Sequence, residues 1–232
     1  MKLNSILFSG LAFLLMATLI GCGGKKFTKT PLDNYIVDFS NEKEYSVIIE
    51  DMDVDGTFFK TYKHKYKVIR VQDNVPFESV TDWIEVEKNY FWKNENFLGM
   101  CVLEKKPDGT ISKVASPPGY RYVGDNHYGE WRSHGGNSFW AFYGQYMFMS
   151  HMFGMNNRPV YQRHYNTYRG GGYYGRKSYL GPKVGNSTMY GTNSPQTQKS
   201  KPNFYKRRAS KSGWSASRSR SGGRSRGSGF GK

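Results

Sequence analysis

Between Asn34 and Ser116 apolar residues come in short runs with a period near two, bounded by Gly, Pro, Asn and Asp. NYIVDF and EYSVIIEDMDV carry the β-branched and aromatic content of strands. Asp55-Gly56 supplies a turn, after which TFFKTYKHKYKVIRV resumes the alternation. Phe58, Tyr62, Tyr66 and Val68 are expected on one face and Lys63, Lys65 and Lys67 on the other. TDWIEVEKNYFW, NFLGMCVLEK and TISKVAS read as further strands, the last two joined through Pro107-Asp108-Gly109. The pattern predicts a mainly β fold over 33–118, a small antiparallel sheet or partial barrel with a modest core.

The pattern then changes. Residues 119–168 are rich in aromatics, Gly and Met. Asn137 or Ser138 is placed to cap a helix over 139–155, stopped by Gly154 and Asn156-Asn157. Such a helix is apolar all round and needs a cover. Phe139, Trp140, Phe142, Tyr143 and Tyr146 are its candidate contacts to a membrane or an unidentified protein partner. Beyond Tyr168 aliphatic side chains almost vanish, so 169–232 reads as a disordered basic Gly/Ser/Arg tail.

Charge sharpens this division. The 232 residues carry a net +16, yet residues 1–130 hold every one of the 18 acids and a net charge of −2, and residues 131–232 hold +18. Arg207, Arg208, Arg218, Arg220, Arg224 and Arg226 are candidate polyanion contacts. Arg/Ser and Arg-Gly-Gly runs also resemble segments of RNA-binding proteins, which makes capture of extracellular nucleic acid an alternative. A mobile polycation gains counterion entropy on any dense polyanion, so the run does not imply sequence-specific nucleic-acid recognition.

The N-terminus sets the compartment. Lys2 precedes an apolar run from Ile6 to Ile20, about the length of a signal-peptide core and short for a membrane span. It ends in Leu19-Ile20-Gly21-Cys22, which resembles the lipobox of bacterial lipoproteins. That resemblance covers only the first 24 residues or so. It implies a signal peptide over 1–21, lipidation of Cys22, a tether over 22–32 and residence on the exported side of a cell membrane or outer membrane. Gly23, where Asp would signal inner-membrane retention in enterobacteria, leans toward the outer membrane. The expected partners are the membrane, through the lipid, and anionic envelope polymers or lipids, through the tail.

Candidate chemistry is thin. The only other cysteine, Cys101, lies in an apolar run and reads as a buried strand thiol. Asp51, Asp53 and Asp55 open like a calcium loop, but its twelfth position is Tyr62, where a bidentate carboxylate is required. His127, Glu130 and His134 form a metal kit only on a helix, which the surrounding glycines oppose. Met147, Met149, His151, Met152 and Met155 would offer thioethers and an imidazole to copper on that predicted helix, a copper-binding lipoprotein being the alternative function. No catalytic motif is present, so a binding or scaffolding protein is expected rather than an enzyme.

Overall fold

The computed structural model describes residues 30–72, 75–211 and 214. Helix α1 (Pro31–Asp38) leads into strands β1 (Glu44–Asp55), β2 (Thr61–Gln72), β3 (Val75–Val80) and β4 (Ile84–Val86), then helix α2 (Lys88–Lys93), β5 (Cys101–Lys105) and β6 (Ile111–Ser112). These strands form one antiparallel sheet in the order β3-β2-β1-β5-β6, with β4 taking the remainder of the β2 edge that β3 uses. A separate hairpin, β7 (Gly129–His134) and β8 (Asn137–Phe142), precedes helices α3 (Met147–Met152) and α4 (Gln162–Gly170). A two-residue ladder, β9 (Lys183–Val184) with β10 (Ser187–Thr188), then leads to α5 (Pro195–Ser200) and α6 (Pro202–Ser210). The antiparallel sheet is as expected, but strand exceeds helix only slightly, 32 % against 27 %. The sheet is open rather than barrel-like, since β3 and β6 end it.

Alternation works for β2, whose Tyr62, Tyr66 and Val68 join one core cluster. Phe58 does not belong to that face: it lies in the β1–β2 loop, 92 % exposed. In β1 the alternation is broken by a bulge, because Ile49 pairs with Tyr66 and Asp51 with Lys65, leaving Glu50 extra. Tyr45, Val47 and Ile49 before it and Met52 and Val54 after it therefore reach the same cluster despite opposite parity. The second cluster covers the other side of the sheet, where Ile48, Ile69 and Cys101 meet aromatic residues from Tyr120 to Tyr190.

Three predicted segments differ. NYIVDF belongs to helix α1, because Pro31 fits the first helical turn and both the amide and the hydroxyl of Thr30 donate to the Asp33 carboxylate, at 3.0 and 2.7 Å. KNYFWK is helix α2, started by the Glu87 carboxylate accepting from the Tyr90 amide at 3.0 Å. The helix expected over 139–155 is reduced to a 3-10 turn, Gly144–Tyr146, followed by α3. Gly135 and Gly136, with φ of 57° and 76°, make a two-residue turn that pairs Trp131 with Trp140 and commits Phe139–Phe142 to a strand. Gly154, φ 66°, does follow the helix end as expected.

Residues 169–211, expected to be disordered, are structured. Aromatic rings replace aliphatic side chains: Tyr168, Tyr179 and Tyr190 are buried around Tyr120, with ring centroids 5.5, 6.2 and 5.8 Å from its own. Buried Thr192 is satisfied by backbone, its amide donating to the Asn96 carbonyl at 3.0 Å while its hydroxyl accepts from the Leu98 amide at 3.1 Å. Phe204 and Trp214 complete the first cluster against Phe91. Lys201 pairs with Glu50, Arg207 with Asp51 and Asp53, and Lys211 with Asp53 and Asp55, so α6 and its flanks strap the acidic end of β1.

Candidate functional site: a cleft over a buried arginine

The start of β1, the β5–β6 turn and the segment 120–128 enclose a cleft of about 420 Å³ between Lys43, Glu44, Pro107, Asp125, His127 and Tyr128. A smaller lobe of about 200 Å³ continues from it down to Arg121 and Tyr122. The Arg121 side chain is 2 % exposed. One guanidinium nitrogen donates to the Lys105 carbonyl; the other donates to Glu44 Oε2 at 3.1 Å and to the Tyr122 hydroxyl. Its Nε has no protein partner.

Two carboxyl groups share this cation. Burial raises Glu44 and Glu104 above the usual carboxylate range, and Arg121 only partly opposes the shift. Burial also works against the charge of Arg121, but Tyr122, Glu44 and Glu104 together hold its pKa above the ordinary value. An acid whose folded pKa is raised stabilises the fold at low pH and loses that contribution as pH rises through the folded value. The floor of the cleft is thus a buried cluster of one guanidinium with Glu44 and Glu104 around it. Its lip offers exposed acids and lysines with the Tyr128 ring, suited to a small polar ligand. Cys101 is not part of the cleft: its thiol is buried and donates to the Leu103 carbonyl at 3.3 Å, and burial pushes it up to about 12.

The residues singled out in the sequence lie elsewhere. Trp140, Phe142 and Tyr146 are core rather than contact surface, Phe139 is half-buried and bridged to Tyr161, and only Tyr143 is exposed. The thioethers do not converge: Met149 and Met155 are buried in the second cluster, while Met147 and His151 face solvent. Met155 also lies beyond the end of α3, so the helical alignment of Met147, His151 and Met155 is not made. His127 bonds the Tyr146 hydroxyl at 2.8 Å, and Glu130 pairs with Arg132 rather than with His134. Among the described residues no group of three or more His, Cys, Asp or Glu side chains is arranged to hold a metal ion. Asp51, Asp53 and Asp55 serve the strap, not a calcium loop. Arg207 is consumed by the same pairs, and Arg208 stacks on Trp214 at 5.5 Å. Cys22, Arg218, Arg220, Arg224 and Arg226 lie outside the described residues.

Arg121 and Glu44 carried no motif signal, because one charge among tyrosines and one at a strand start look like ordinary surface residues. No helix among the described residues is long and apolar enough to cross a membrane. No family model, curated protein or solved structure matches the chain.

Proposed function

We propose that this chain is an exported lipoprotein, held on a bilayer by acyl chains on Cys22, that acts by binding rather than by catalysis. The observation that carries the reading is Leu19-Ile20-Gly21-Cys22 standing directly after an apolar run and ahead of a folded body. Two or more acyl chains anchor stably where one would not. Internal pairing of Lys201, Arg207 and Lys211 transfers the polyanion role to the five cations beyond residue 214, namely Arg218, Arg220, Arg224, Arg226 and Lys232. These would engage anionic envelope polymer or lipid, and the Arg121 cleft would supply a second, small-ligand site.

Fatty acid carrying a label, fed to producing cells, should enter the native chain and not Cys22→Ala. Equal labelling of the two would remove the anchor. For the cations, binding to an anionic polymer should weaken with salt along a log–log slope of about −3.5 if all five engage, and scrambling 217–232 should change it little. Tight binding to one RNA that survives high salt and vanishes on scrambling would replace this reading by specific RNA recognition.

A further inference from the structure

The β1–β2 hairpin ends in Gly56-Thr57-Phe58-Phe59-Lys60, and its two phenylalanines are 92 % and 94 % exposed. The next most exposed large apolar side chain among the described residues is Val37, at 66 %. The loop has a built conformation. Gly56 has φ 86°, and a Cβ there would stand 2.0 Å from the Phe59 carbonyl oxygen, so only glycine allows the chain to fold back this closely. The base is clamped as well, since Asp55 pairs with Lys63 at 2.9 Å and with Lys211 at 2.6 Å. Those contacts neutralise the acid nearest the tip. Lys60 makes no ion pair among the described residues, leaving the tip apolar and positive.

We infer that Phe58 and Phe59 form a membrane-inserting tip, a second contact between this protein and an anionic lipid surface. Area decides between a bilayer and a protein partner. Two aromatic side chains offer roughly 300–500 Å², whereas a stable protein interface buries about 800 Å² on each partner. Gly56, Thr57 and Lys60, the rest of the five-residue loop, add no further apolar side chain. A bilayer requires no matching surface: rings enter the headgroup–acyl boundary while a lysine stays with the phosphates. The inference rests on the anchored reading only in needing a bilayer within reach. Eight residue steps from Cys22 to Thr30 span at most about 28 Å, which holds the body close to it.

The test uses the full chain, purified from producing cells and reconstituted in vesicles of phosphatidylethanolamine and phosphatidylglycerol. Phe58→Cys is labelled with an environment-sensitive thiol dye; Cys101 is buried and does not compete. The signal of the parent chain treated in the same way is subtracted to remove any label at an unacylated Cys22. The dye should shift to the blue, be quenched at least twofold by brominated acyl chains, and be shielded from aqueous iodide relative to the same dye at Val184→Cys, another exposed apolar position. Adding Phe59→Ser should reduce the lipid quenching severalfold. Iodide-accessible dye without lipid quenching overturns the inference, as does equal lipid quenching at positions 58 and 184. Dye shielded from both quenchers overturns it in favour of contact with a second copy. Fatty-acid labelling of the same preparation separates the two readings. An acylated chain with a wet tip rejects the tip alone, and an unacylated chain with a lipid-quenched tip rejects the anchor alone.

Discussion

His64 sits fully buried in β2, with Nδ1 2.9 Å from the Tyr66 hydroxyl and Nε2 without a partner. Burial drives its pKa from 6.5 down to about 3, so the folded protein holds it neutral. The unfolded chain takes up that proton as pH falls below 6.5 and the folded chain does not. Stability therefore drops by up to about 1.4 kcal/mol per pH unit between these values. His64→Phe should cost about 1–2 kcal/mol at pH 7, where it strands the tyrosine hydroxyl. Its deficit in urea midpoint should then shrink as pH is lowered toward 3.5, because the variant has no histidine to protonate. Glu44 and Glu104 act with the opposite sign, but equally in both proteins, so the comparison isolates His64. Parallel pH curves would show that His64 is not held neutral. Arg121→Met should be costlier, about 3–5 kcal/mol at pH 7, because it leaves two buried carboxyls without their cation. Adding Glu44→Gln and Glu104→Gln should restore part of that loss. Chemical denaturation of the single and triple variants decides this, and no recovery in the triple would mean that Arg121 acts through packing alone.

The bulge at Glu50 governs which side chains of β1 reach the core. Deleting Glu50 would remove the bulge and put Met52 and Val54 in phase with Tyr45, Val47 and Ile49, one regular alternation with the same partners on β2. The deletion should therefore keep a cooperative calorimetric transition, losing only the pair of Glu50 with Lys201. Loss of that transition would show that the bulge does more than reset the phase of the strand. Such a bulge has no letter of its own in EYSVIIEDMDV, which is why alternation locates the strand but not its switch of face. Other elements were legible and were outweighed. Thr30-Pro31-Leu32-Asp33 is a helix start, yet the β-branched and aromatic residues after it suggest a strand. Gly135-Gly136 is a hairpin turn, yet Phe, Trp and Tyr serve a helix and a strand equally well. Tyr143 and Met147 remain exposed while Trp140 and Met149 are buried, a distinction that depends on tertiary contacts and not on residue type.

At the scale of the molecule, the acidic first half and basic second half are two sides of one contact. Glu50, Asp51, Asp53 and Asp55 lie on β1, and Lys201, Arg207 and Lys211 come back to them from more than 150 residues away. Composition exposed the charge split, but not that part of it is neutralised internally. The ion pairs are partly open to water, each worth about 0–1 kcal/mol. The larger contribution comes from Phe204, which is 1 % exposed and whose truncation to Ala should cost about 3–5 kcal/mol. Two shortened chains separate strap from tail. A chain ending at Trp214 keeps every described residue and drops four arginines and Lys232. Its thermal midpoint should match that of the full chain, while salt-steep binding to anionic polymer is lost. A chain ending at Tyr168 removes Tyr179 and Tyr190 from around Tyr120, strips Phe204 and Trp214 from Phe91, and leaves four carboxylates on β1 without their strap cations. It should show no cooperative transition in near-ultraviolet circular dichroism. Cooperative melting of the shorter chain near the full-length midpoint would demote 169–214 from part of the fold to an appendage.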